Sequence, residues 1–167
     1  MANACFLSCD ELLRYSREER EKWRAWFLAH PEAIDVGVQP GGRFETVGQV
    51  INHIFLGERQ HLQRLTGAPV DRDTGLSGRH APPLFDYGAS VRRELEQYVA
   101  ELDPDAADEC RAIQLSDGST QVVSARKLLF HVLLHEARHW AQIALAVRQA
   151  VLAPPGRHDL LYSSAFK

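Results

Sequence analysis

The stretch "HVLLHEARHWAQI", residues 131–143, places histidines at positions 131, 135 and 139 among apolar neighbours. A four-residue repeat fits an α-helix, whose period of about 3.6 residues carries i, i+4 and i+8 along one side. The same stretch contains His135-Glu136-Ala137-Arg138-His139, the His-Glu-x-x-His string of zinc peptidases. Whether such a helix holds a metal depends on what the rest of the chain can bring to it.

Working outward, Ser124 is suited to cap a helix running over 125–152, which Pro154-Pro155 would stop. Just before it, "CRAIQLSDGSTQVVS" carries two short β-prone runs around Asp117-Gly118, a hairpin signal. Upstream, "LFDYGASVRRELEQYVAEL" reads as a helix over 84–102, ended by Asp103-Pro104. Thr46 caps a helix over 47–65, with Val50, Ile51, Ile54, Phe55, Leu62 and Leu65 on its apolar stripe. A first helix spans about 9–30, with start signals at Ser8 or Asp10 and a further capping-box pattern at Ser16 and Glu19. Residues 66–84 are rich in Gly, Pro and Asp and predict a long surface connection bordering a site. Four amphipathic helices without βαβ alternation imply an all-α fold, a four-helix bundle with a small β-hairpin before the last helix.

The chain has 167 residues, 45% hydrophobic and 25% charged, which suits one domain over 1–167. A net charge of -3, with basic residues interleaved among acidic ones, argues against nucleic acid as a partner. The start of the chain lacks a signal-peptide pattern, and no apolar run is long enough for a membrane span, so a cytoplasmic location is expected. Cys5, Cys9 and Cys110 are few and odd in number, which predicts reduced thiols rather than a disulfide framework or a Cys5/Cys9 metal pair. Trp23, Trp26 and Trp140 read as core rather than interface.

Eight histidines are unevenly spread, with 131, 135 and 139 on the last helix and 53 and 61 on the second. His131 and His139 would stand about 12 Å apart along the axis, too far to share an ion at about 2.1 Å. An adjacent pair, 131 with 135 or 135 with 139, is therefore the most that helix can contribute. His53 and His61 are also eight apart, so one of them at most completes a set of three. Three neutral imidazoles leave coordination positions open, as in catalytic rather than structural zinc sites. The plainer reading makes these histidines ordinary helix residues, yet burying several imidazoles without partners is unfavourable.

The peptidase reading needs a third ligand, and downstream of His139 only His158 and Asp159 are available, in a short tail after two prolines. No strand-rich half exists to present a peptide. Glu136 is then expected in a surface or interhelix ion pair, with Arg138 or Arg126 as neighbours.

Taken together, "TVGQVINHIFLGERQHLQRL" and "SARKLLFHVLLHEARHWAQIALAVRQ" resemble the DinB/YfiT-like family of bacterial metal-binding four-helix bundles. The likeness extends through "YSREEREKWRAWFLAHPEAI", "LFDYGASVRRELEQYV" and "HDLLYSS". It implies a divalent metal, zinc or nickel, held by His53, His135 and His139, with His131 a turn away, His61 in a second shell or pocket and Gln142 orienting a ligand. It also implies a metalloenzyme acting on a small-molecule substrate, a thiol-dependent S-transferase in stress response or detoxification that uses a low-molecular-weight thiol, and a homodimer. No catalytic side chain follows from it. A non-catalytic metal-binding or partner-binding bundle is the alternative, with an HExxH-type hydrolase behind both.

Overall fold

The computed structural model describes residues 7–38, 41–115 and 117–166, which leaves Cys5 and its suggested pairing with Cys9 outside the described residues. The order is α1 (Cys9–Ala29), α2 (Val47–Thr66), α3 (Ala81–Glu101), β1 (Cys110–Gln114), β2 (Thr120–Ser124) and α4 (Ala125–Gln149), with short 3₁₀ turns between. β1 and β2 pair antiparallel, Cys110 opposite Ser124, and Gly118 takes a left-handed φ of 85° in the turn.

Local chemistry accounts for most helix ends. Thr46 and Ser124 cap α2 and α4 by accepting from the backbone N–H groups of Gln49 and Lys127. The capping box of α1 is Ser8 with Glu11, not Ser16 with Glu19, which lie mid-helix and buried. The third helix begins three residues earlier than expected because Pro82 and Pro83 fall in its first turn, where no N–H has an intrahelical partner to lose. The fourth ends at Gln149, short of 152, as Val151 turns to φ 62°.

Two apolar clusters divide the core. Trp23, Trp26, Phe27, Val47, Val50, Ile51, Ile54, Phe55, Leu84, Phe85, Trp140, Ile143 and Val147 fill one end. Leu12, Leu13, Leu62, Leu65, Leu95, Leu128, Leu129, Val132 and Leu133 fill the other, beside Ile113 and Val123 of the hairpin. Chain numbers rise toward the aromatic end in α1 and α4 and fall toward it in α2 and α3, so the helices run up, down, down, up. All three tryptophans are buried.

The long connection follows from this order. Since α2 and α3 are parallel, residues 67–80 must return the chain along the whole bundle. Near the bottom, Asp71 pairs with Arg59, and its backbone N–H donates to Gln63 Oε1 at 2.9 Å. Higher up, Asn52 donates to Leu76 O and accepts from Thr74. At the top, a Cβ on Gly48 would lie 1.9 Å from Gly78 O, so the crossing requires glycine at 48.

Between the apolar clusters lies a layer of charge to which every helix contributes. Glu136 accepts from Arg20 Nε at 2.6 Å, Arg92 Nη2 at 2.8 Å, Ser16 Oγ at 2.7 Å and Trp140 Nε1 at 2.9 Å. Glu58 accepts from Arg92 Nε at 2.7 Å and also pairs with Arg20. Two arginines and two glutamates give no net charge, and the least buried, Arg20, is only 7% exposed. Burial pushes the Glu136 carboxyl up, but the Arg20 and Arg92 charges and their hydrogen bonds outweigh it and hold it low. Glu136 thus makes an interhelix ion pair as expected, but with Arg20 and Arg92 rather than Arg138 or Arg126: Arg126 pairs with Asp108, and Glu136 points into the bundle.

Candidate metal centre

His53 of α2 faces His135 and His139 of α4. His135 Nε2 lies 3.1 Å from both His53 Nε2 and His139 Nε2, and one ring nitrogen from each falls within 4.8 Å of the others. Around an ion bound at about 2.1 Å, nitrogens at tetrahedral angles stand about 3.4 Å apart and at right angles about 3.0 Å. The donor set therefore fits a divalent ion in both spacing and chemistry. Among the described residues it is the one His, Cys, Asp and Glu group so arranged.

The neighbours serve this geometry. His139 Nδ1–H donates to Gln142 Oε1 at 2.9 Å, which places the lone pair on Nε2, where an ion would need it. Gly57 on α2 lies against His135, where a Cβ would meet the ring's Cε1 at 3.5 Å, an ordinary contact. Phe44 covers the group, its ring centroid 4.8 Å from that of His53 and 6.2 Å from that of His139. Arg43 lies over Phe44 and, with Arg138, adds positive charge at the rim. Sequence reasoning misses Phe44 and Arg43. Their one signal is an aromatic residue beside a cation inside the Gly/Pro segment 36–46.

His131 and His61 continue the row without joining it. Their rings are 5.1 Å apart, His131 is 5.8 Å from His135, and His131 is exposed rather than on the apolar side with Leu128, Val132 and Ile143. The His61 Nδ1 is buried without a partner. His158 bonds Glu19 and stacks on Trp23, so it belongs to another face of the bundle. Both Glu136 oxygens are occupied within the charge layer, away from the imidazoles, which removes the general base that the peptidase string requires.

Burial, reinforced by the adjoining imidazoles, lowers His135 to about 3, and burial with nearby positive charge lowers His53 and His61 each to about 4. His139 is also lowered by burial, against the Gln142 hydrogen bond. All are neutral near pH 7, the form that ligates metals. In the unfolded chain they protonate near 6.5, so between about pH 6.5 and about 4 the unfolded state binds more protons. Stability is therefore full above 6.5 and falls as pH drops toward the folded values. For metal-free protein, Tm by circular dichroism should decline steadily from about pH 7 to about pH 4.5, and less steeply in His135→Leu. Equal slopes would contradict this.

Four helices in this order, with three imidazoles between the second and fourth, define a class of bundles that carry a metal-competent site. The chain belongs to the DinB family, whose sequence pattern matches residues 1–165. Its fold is similar to that of a DinB-like protein from Bacillus cereus, with a TM-score of 0.65 and 20% identity over 86% of this chain and 91% of that one. A DinB-like protein of Bacillus subtilis is similar at a TM-score of 0.53 and 15% identity, over 90% of this chain and 96% of the other. No curated protein matches the chain. No helix among the described residues is long and apolar enough to cross a membrane.

Proposed function

We propose that His53, His135 and His139 bind a divalent ion, zinc or nickel, and that the protein is a metalloenzyme joining a low-molecular-weight thiol to a small electrophile in stress response or detoxification. The observation that carries this reading is the convergence of three neutral imidazole nitrogens with Gln142 fixing the tautomer of one. A divalent ion there supplies a Lewis-acid position that lowers the pKa of a thiol brought to it. The chain's own residues do the rest. Three protein ligands leave room for a substrate, Phe44 shields the imidazoles, and Arg43 and Arg138 favour an anionic partner such as a thiolate.

Turnover of metal-loaded protein with small thiols and an electrophile such as 1-chloro-2,4-dinitrobenzene tests this. Wild type is expected to turn over and His53→Ala to fall to the uncatalysed rate. Identical rates would remove the metal from the mechanism. A non-catalytic role is favoured by one observation, that the three histidines come from two helices which an ion would tie together. Under that reading chelation lowers Tm sharply and no thiol is consumed.

A further inference from the structure

The fixed charges around the histidine row share one sign. Burial comes first in lowering each ring, and positive charge adds to it: Arg138 and Arg43 at His139, Arg43 at His53, Arg138 and Lys127 at His131, Arg64 at His61. Among the described residues no carboxylate acts on any of these imidazoles. The chain as a whole has a net charge of -3, so this positive face is a local arrangement and does not follow from composition. A surface of one sign raises the local concentration of ions of the other.

Placement singles out two of the four cations. Arg43 precedes Phe44, the ring that covers the imidazoles, and its guanidinium lies 5.3 Å from the centre of that ring. Arg138 precedes His139 and stands three residues, close to one turn, beyond His135. They come from different segments, yet both act on His139. Both are exposed and so reachable from solvent, and among the described residues neither takes part in an ion pair. Arg93, Arg148 and Arg157 are exposed without an ion pair as well, but they act on none of the histidines in the row.

Sulfur alone does not answer this charge. Three neutral imidazoles add none, so a divalent ion already outweighs one thiolate, and both guanidiniums are left without a counter-charge. We propose that the thiol accepted by this site carries a carboxylate of its own, bound at Arg43 and Arg138, an inference that rests on the thiol-transfer reading above. A guanidinium matches a carboxylate in shape and charge, donating two parallel N–H bonds to its two oxygens. Held there, the carboxylate presents the sulfur to the imidazoles, and the class of thiol is a mercaptocarboxylate rather than a neutral or cationic one.

Three thiols of one length and nearly one acidity separate the head groups: 6-mercaptohexanoate, 6-mercaptohexanol and 6-aminohexanethiol. Each is titrated into cobalt-loaded protein and followed by sulfur-to-cobalt charge-transfer absorbance, which reads binding without turnover. The carboxylate is expected to bind about tenfold more tightly than the alcohol, and the ammonium thiol more weakly than either. In the double variant Arg43→Gln with Arg138→Gln that preference should shrink to about twofold or less, while the affinities for the alcohol and for cobalt stay as in wild type. Arg148→Gln, at an exposed position roughly half a turn around α4 from the imidazoles, should keep the preference in full. Added sodium chloride should weaken the carboxylate more than the alcohol. Equal affinities for the three thiols, a preference that outlasts the double variant, one that Arg148→Gln also removes, or a double variant that loses the alcohol as well would overturn the inference and leave the thiol reading standing. Cobalt that binds without a charge-transfer band from any of the thiols would instead overturn the thiol reading itself, and the inference with it.

Discussion

Glu136→Ala is expected to destabilise the bundle by about 3–5 kcal/mol, the usual cost of leaving a buried charge without its partner. The side chain is 2% exposed and accepts from Arg20, Arg92, Ser16 and Trp140, so its loss leaves two guanidiniums facing Glu58 alone. Against a total of about 5–15 kcal/mol for an ordinary domain, that is enough to populate unfolded chains under mild conditions. Urea denaturation with unchanged m-value should show it. Glu136→Gln keeps the shape but leaves one excess positive charge, and should lose less. Removing an opposite pair together, Glu136→Met with Arg92→Met, should recover part of the loss, because the layer returns to neutrality and those two charges no longer have to be desolvated. A Glu136→Ala protein within about 1 kcal/mol of wild type would mean that the layer is hydrated rather than dry.

The same residue shows how far residue order alone can be read. Helix caps are local chemistry, so Thr46 and Ser124 are legible from the chain by itself, as is the hairpin around Asp117-Gly118. The Ser16 and Glu19 pattern misleads because a capping box names residue types at a spacing, and mid-helix residues can match it by chance. Naming Arg138 or Arg126 as partners of Glu136 follows from looking for charge nearby in the chain, whereas the interhelix partners come from α1 and α3. Yet Arg20 is three residues before Trp23 and seven before Phe27, Glu58 four after Ile54, and Arg92 three before Leu95, all on apolar stripes. Four charges of balanced sign on four inward faces are the available signal. What no local pattern encodes is helix direction. The parallel course of α2 and α3, and hence the reason for residues 67–80 crossing the bundle, emerges only when both cores are assembled.

The charge layer also bears on the imidazoles. Glu136 follows His135 in the chain and is fixed by four contacts, so the rotation of α4 about its axis is set one residue from a candidate ligand. With Trp140 bonded to Glu136 and packed on Trp23, the turn that carries His139 is held in the same register. A rigid α4 holds the His135 and His139 ring nitrogens 3.1 Å apart.

Metal affinity should therefore divide the histidines sharply. His135→Ala removes the ring that touches both others and should lower affinity by more than the roughly 10–100-fold that losing an orienting partner costs. Gln142→Leu, which removes only the acceptor for His139 Nδ1–H, should fall within that range. His131→Ala should change affinity little, since its ring is 5.8 Å from His135 and outside the converging set. Competition against a chromophoric chelator measures all three. Thermal unfolding gives a second readout: metal at a hundredfold over Kd stabilises wild type by about 2.7 kcal/mol, and that increment should vanish in His135→Ala but persist in His131→Ala. The opposite ranking, with His131 essential and His139 dispensable, would move the site one turn along α4 to the pair beside His61. That is the other adjacent pair the spacing of the sequence permits, and in the structure its two rings stand 5.8 Å apart, with His61 5.1 Å from His131, without the convergence of nitrogens seen at His53, His135 and His139.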